Sequence, residues 1–378
     1  MLNISIFRNQ FEYKFLYEYD DEIFVHDLTS PLILSDESIF VIAILSRPAN
    51  FDEIRVNSLS VDEAYIDFFQ KTTKAKIICS RKYSSKSFAL REKINIEKEP
   101  IYLGFSGGFD SVAAKGVLGE SAKLVSIDYG GAFSREAEFF EIFNPSTFVW
   151  NIRKSRKYAK KFNEGLDWRF MLAPVAACAM SSKMNLISTG SIFEASPFWF
   201  SANNIKKFSK YSAFGMGPEI SMINPVAALT EYSTTKIAMA ALGEELISKS
   251  LKSLASESSF KFYRKKVLLS LIVNEGLPVN TSKKHTFGTS LADDFLTLYL
   301  GWRVGWKWVA ENYALLPDGF SFDVDMSFVE KYSLNNLNTF CDGSIDYISR
   351  KYREYDIDPF DDIDSNNHAK VCDFLSVK

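Results

Sequence analysis

The sequence predicts an α/β fold built around a parallel sheet, and three observations predict it. Short runs at 101–105, 123–129, 147–152 and 185–189 combine apolar, β-branched and aromatic residues, the composition of buried strands. Segments with helical spacing separate them, and strands that alternate with helices pair in parallel, with helices covering both faces of the sheet. The first run leads straight into Ser106-Gly107-Gly108-Phe109-Asp110-Ser111, a glycine turn that opens a helix. In such sheets ligands bind beyond the carboxyl ends of the strands. Ser106, Asp128 and Gly190 all fall at such ends.

Taken in chain order, residues 1–95 read as a small β-rich N-terminal domain. Runs at 3–7, 12–17, 23–26 and 39–45 carry strand composition, and Asp20-Asp21 and Ser30-Pro31 mark turns. Ser60 with Glu63 forms a capping box for a helix over 61–69, and 76–79 is a further strand. Residues 82–98 are charged and polar and serve as the linker. The middle domain, 96–245, takes helices over 112–118, 134–143 and 168–183, then the segment 224–230 (NPVAALT) with a helix running on through Lys236. Residues 246–378 form a helical C-terminal region. Its segment 259–273 is basic on one side and apolar on the other. Its segment 291–313 begins after Ser290 with Asp293 and Asp294 in the first turn, where acidic groups suit the helix dipole. Trp302, Trp306 and Val309 share a face there and read as core. The acidic stretch 356–364 reads as a mobile tail.

Composition narrows the function. The 378 residues exceed one ordinary core, so two or three domains are expected. Net charge is −3 and the pI about 5.8, which gives no global basic footprint for nucleic acid. The local cluster Arg153-Lys154-Ser155-Arg156-Lys157, with Lys160 and Lys161, reads as a solvated helix face. No basic segment followed by an apolar one opens the chain, and no run long enough to cross a bilayer occurs. The four cysteines, Cys79, Cys178, Cys341 and Cys372, are scattered without metal-ligand spacing and suit a reducing cytoplasm. Cys178, in Ala-Ala-Cys-Ala-Met on a helix, reads as a packed thiol. His26, His285 and His368 form no metal or triad pattern. The expected partners are a small-molecule substrate and, at most, a second copy of the chain; neither a membrane nor a nucleic acid is expected.

The glycine turn carries the chemistry. A helix N-terminus has backbone N–H groups without intrahelical partners and a partial positive charge, so it accepts phosphate. Gly107 and Gly108 allow close approach of backbone to an anion. The stretch is not a P-loop, because no Lys-Ser or Lys-Thr follows the second glycine. It matches SGGxDS and resembles the PP-loop ATP pyrophosphatases, with 7-cyano-7-deazaguanine synthases and the AMP-forming epimerase of muramyl-peptide glutamate the most similar members. The resemblance covers roughly residues 100–242. It implies a sheet of the adenine nucleotide α-hydrolase type. The zinc-binding cysteine cluster of the deazaguanine synthases has no counterpart here, and Thr230 is followed by Glu231 where those enzymes carry Lys.

The resemblance implies ATP and Mg²⁺ as cofactors. Ser106, Gly107, Gly108, Phe109, Asp110 and Ser111 would hold the phosphates, with Asp128 and Gly190 at the neighbouring strand ends and Asp128 toward the ribose or adenine. Asp110 would ligate Mg²⁺. Glu194 would add a metal ligand or a general base. Asp110, Ser111, Arg169 and Lys236 are the expected catalytic residues. Arg169 is the first choice, ahead of Lys115 and Lys236, for the positive charge that a departing pyrophosphate needs. Residues 196–200 (SPFWF) would line the substrate pocket and 203–219 would cover it. The expected activity is adenylation of a carboxylate or amide-like oxygen on a small molecule, with pyrophosphate released and AMP then displaced by a nitrogen nucleophile. Epimerisation of a peptidoglycan-precursor glutamate, a non-catalytic nucleotide-binding module of a larger complex, and a tRNA-acting modifier are the alternatives.

Overall fold

The alternation in residues 12–19 sets the pattern of the first sheet strands. Tyr13, Phe15, Tyr17 and Tyr19 are buried while Glu12, Lys14 and Glu18 face solvent, which is the period of a strand with one covered face. The computed structural model describes residues 1–85, 96–131, 137–152, 167–195, 216–280, 282–340 and 344–376. The basic cluster at 153–161, residues 196–200, most of 203–219, and Cys341 lie outside the described residues. The chain folds as two compact units, each discontinuous in sequence. The first draws on Met1–Ser106, Glu120–Ser188 and Lys210–Ile223, and the second on Gly107–Gly119, Thr189–Ser209 and Asn224–Lys378.

The first unit is built on one ten-stranded sheet. Its strands are β1 (Leu2–Asn9), β2 (Glu12–Tyr19), β3 (Glu22–Thr29), β4 (Glu53–Asp62), β5 (Lys76–Tyr83), β6 (Ile101–Gly104), β7 (Ala122–Asp128), β8 (Ser146–Trp150), β9 (Leu186–Ser188) and β10 (Ser221–Ile223). Their order across the sheet is β10-β9-β6-β7-β8-β3-β2-β1-β4-β5. The strands β10, β9, β6, β7 and β8 pair in parallel throughout. Strand β2 pairs antiparallel with β1 on one side and with β3 on the other, β3 meets β8 antiparallel, and β4 and β5 return to parallel pairing beyond β1. The fold is therefore α/β with a large, mostly parallel sheet, and that sheet takes strands from both sides of residue 95.

Helices α1 (Asp36–Leu45), α2 (Glu63–Thr73), α4 (Ala137–Phe143) and α5 (Asp167–Ser181) belong to the same unit. Residues 39–45, expected as a strand, are helical. Ser35 accepts from the Ser38 amide and Asp36 and Glu37 occupy the first turn, all of which start a helix. Burial of every residue from Ser38 to Leu45 removes the polar face by which an amphipathic helix is recognised. The expected helix over 61–69 begins at Glu63 under an Asp62 cap, because β4 runs through Asp62.

The second unit is mainly helical. It contains α3 (Phe109–Leu118), α6 (Glu231–Leu254), α7 (Phe260–Val273), α8 (Leu291–Val304), α9 (Trp306–Asn312), α10 (Leu334–Phe340), α11 (Ile345–Arg353) and α12 (Asp362–Ser376), with a small parallel pair β11 (His285–Thr286) and β12 (Ala314–Leu315). The single helix expected over 291–313 is two, separated at Gly305. Val309 is buried, while Trp302 is 39% exposed and so is only partly core. The acidic tail is ordered. Asp361 and Asp364 cap α12 reciprocally through their backbone N–H groups, and Lys331 Nζ lies 2.7 Å from Asp364 Oδ2. No helix among the described residues is long and apolar enough to cross a membrane.

Candidate functional site

Strands β6 and β9 are neighbours in the sheet, although β7 and β8 come between them in sequence. Numbered along the chain, the parallel half reads 3-2-1-4-5, and strand order reverses between β6 and β9. Such switch points open the crevice in which α/β sheets bind ligands. The chain leaves β6 for the glycine loop and leaves β9 for Thr189 and Gly190. At the root of the loop, Phe105 N–H donates to Val125 O at 2.8 Å and Ser126 Oγ donates to Phe105 O at 2.6 Å.

Within the second unit, Gly107 has φ of +74°, the left-handed region that glycine enters without strain. Its carbonyl accepts from Ser250 Oγ at 2.7 Å. The Gly108 carbonyl accepts from Val112 N–H and from Ser111 Oγ, both at 2.9 Å. Gly108 is the N-cap of α3 and brings no side chain to it, so Asp110 and Ser111 fall in the first turn. Gly190 packs on that same turn. A Cβ there would lie 2.8 Å from Ser111 N and 2.9 Å from Asp110 C, closer than a real Cβ ever comes. Only glycine fits between the two segments.

Asp110 is the open group of the turn. Its Oδ1 accepts from Thr234 Oγ1 at 2.9 Å and lies 3.4 Å from Lys265 Nζ. Oδ2 has no hydrogen bond or ion pair with any described residue, and the side chain is 34% exposed. A carboxylate with one oxygen anchored and the other facing solvent fits Mg²⁺, which takes one or two protein carboxylates and fills its remaining positions with phosphate oxygens and water. Among the described residues no three His, Cys, Asp or Glu side chains are grouped to hold a metal by themselves.

Around Asp110 stands a charge network that the sequence reading missed. Lys265 is 3% exposed, and its Nζ lies 2.9 Å from Glu231 Oε1 and 5.0 Å from the centre of the Phe109 ring. Arg264 reaches Glu231 at 3.1 Å through Nη2 and pairs with Asp293 through Nη1. Burial alone would raise the Glu231 carboxyl. The charges of Lys265 and Arg264 outweigh it and hold the group at about 2. Burial works against the Lys265 ammonium too, and Asp110 and Glu231 overcome it, leaving its pKa raised. The local signal in the sequence was the basic side of residues 259–273; which carboxylates it meets depends on long-range packing.

Glu194 joins this region from the helical turn Phe193–Ala195. Both its oxygens accept from Glu231 N–H, at 2.9 and 3.0 Å, so it caps α6. Burial first, then the charge of Glu231, raises its carboxyl to about 8 and keeps it mostly protonated at neutral pH.

The structure thus brings Gly107, Gly108, Phe109, Asp110, Ser111, Gly190 and Glu194 together in one unit. The Phe109 side chain is buried, which leaves only its backbone to face a ligand. Lys236 is directed elsewhere, its Nζ donating to Asp356 O at 3.0 Å. Ser106 and Asp128 belong to the first unit. Ser106 is exposed, and Asp128 Oδ1 accepts from Gly130 N–H at 2.7 Å. Arg169 lies on α5 of that unit, with its side chain outside the described residues. Cys178 is fully buried, and burial pushes its thiol to about 12. His368 Nε2 lies 3.2 Å from Cys372 Sγ. Burial lowers the imidazole to about 4 and raises the thiol to about 12, so the pair is neutral and not an activated nucleophile.

No protein-family model, curated protein or solved structure matches this chain.

Proposed function

We propose that this chain is an ATP-dependent, AMP-forming enzyme of the PP-loop kind, with its sheet of the adenine nucleotide α-hydrolase type. What supports the reading most is Asp110, held by Thr234 at the N-terminus of α3 with its second oxygen open, in a loop that follows the strand beside the sheet's switch point. ATP and a small-molecule substrate with a carboxylate or amide-like oxygen are the reactants. The substrate oxygen attacks the α-phosphorus, and the bond from that phosphorus to the bridging oxygen breaks. Pyrophosphate leaves with the bonding pair. A nitrogen nucleophile then adds at the activated carbon, loses its proton to solvent, and expels AMP. Mg²⁺ held by Asp110 would neutralise charge on the phosphates. The N–H groups of Gly108 to Ser111 would orient the phosphate tail.

The test is product analysis. Protein incubated with ATP, Mg²⁺ and a metabolite extract is expected to yield AMP and pyrophosphate. Asp110→Asn should lower pyrophosphate release by about a hundredfold or more while leaving the circular dichroism spectrum unchanged. Binding of ATP without AMP formation would make the chain a nucleotide-binding module instead, and wild-type turnover in the variant would remove Asp110 from the chemistry.

A further inference from the structure

We propose that Lys265 and Lys261, one helical turn apart on α7, are the cations that receive the phosphate tail of the nucleotide; this rests on the ATP reading above and gives it the positive charge for which the sequence offered Arg169, Lys115 and Lys236. Residues four apart share a helix face, and Lys265 fixes the direction of that face, because its Nζ stands 3.4 Å from Asp110 Oδ1 and over the Phe109 ring.

Two features make this face a receiver of anions and not merely a set of ion pairs. The Lys265–Asp110 separation is long for an ammonium and a carboxylate, which settle at 2.7–2.9 Å when fully engaged. The shorter bond is to Glu231, which Arg264 also neutralises. Lys265 therefore has a donor to turn toward a phosphate oxygen without leaving Glu231 unpaired. Lys261 has no hydrogen bond or ion pair with any described residue. Lys261 is exposed at the surface, and partial desolvation first and the charge of Lys265 second lower its pKa, with Asp110 pulling the other way. Two ammonium groups that repel each other are stabilised by an anion placed between them. The first turn of α3 adds backbone N–H groups at the same end of Asp110. A metal on Asp110 Oδ2 and two ammonium groups would enclose the charge that builds on pyrophosphate as it departs.

Calorimetry with Mg·ATP, with inorganic pyrophosphate and with AMP tests this. Lys261→Ala should weaken ATP and pyrophosphate binding about tenfold and leave AMP binding unchanged. Lys265→Arg should weaken both as well, since a planar guanidinium replaces a point charge. Lys266→Ala, at an exposed position one residue along the helix from Lys265, is the control for net charge and should change nothing. Wild-type protein that binds neither ATP nor pyrophosphate would remove the ATP reading itself. Wild-type binding that survives both Lys261→Ala and Lys265→Arg, or a loss in Lys266→Ala equal to that in Lys261→Ala, would overturn the lysine pair alone. Should Lys265→Arg fail to fold, the comparison of Lys261→Ala with Lys266→Ala decides.

Discussion

Trp150 Nε1 lies 2.9 Å from His26 Nδ1, and an indole N–H only donates. Nδ1 is therefore the acceptor, and the ring proton of His26 sits on Nε2, which donates to Tyr17 OH at 3.1 Å. Tyr17 in turn meets Ser46 Oγ at 2.6 Å, and Ser46 donates to Ile42 O. The sequence reading found no pattern in the histidines, and this one is explained by a buried chain of donors and acceptors that only the fold assembles. Trp150→Phe would leave Nδ1 buried and unsatisfied, with an expected loss of about 1–3 kcal/mol in urea unfolding. Glu194 gives a pH signature. Its carboxyl is near 8 when folded and near 4.5 when free, so the folded state binds the extra proton between those values. Stability from this group is complete below pH 4.5 and is lost as pH rises toward 8, by up to ~1.4 kcal/mol per pH unit. Glu194→Gln should flatten that slope in denaturation curves taken from pH 5 to 8.

Among the elements, those with strong local signals were legible and those defined by their surroundings were not. The strands at β6, β7, β8 and β9 lie where apolar β-branched runs put them, and the Ser259 and Ser290 caps mark true helix starts. The helix α1 was hidden because its apolar run is continuous and lacks a polar face. The strand β4 was missed altogether, since the sequence EIRVNSLSVD becomes a strand by pairing with β1 and β5. In the site, the glycine loop was legible as a short motif, but Thr234, Arg264 and Lys265 were not, because each meets Asp110 or Glu231 from a different helix. Gly190→Ala tests the junction of the two loops. The added methyl collides with backbone and not with a flexible side chain, so a destabilisation of about 1–3 kcal/mol is expected, together with weaker Mg·ATP binding than in the wild type.

For the molecule as a whole, composition and charge gave limits and left the topology open. The parallel half was foreseeable from alternating strands and helices. Its union with an antiparallel hairpin in one sheet was not, because residues more than a hundred positions apart in sequence meet at Leu28 and Trp150. Ligand linkage offers a measurement at this scale. A nucleotide that binds only the folded chain adds about 2.7 kcal/mol at a hundred times its dissociation constant. Mg·ATP should therefore raise the melting temperature of the protein, and Asp110→Asn should cancel that rise.

The join between β3 and β8 holds only two register pairs, Leu28 with Trp150 and Thr29 with Val149. By amide ladders alone it would share with the β6–β9 join the fewest register pairs across the ten strands. Side chains stitch it instead: the indole on His26, and Asn151 exchanging bonds with Asp27 through its carboxamide oxygen at 2.7 Å and nitrogen at 2.9 Å. Four residues, His26, Asp27, Trp150 and Asn151, thus reinforce the seam where the hairpin meets the parallel strands.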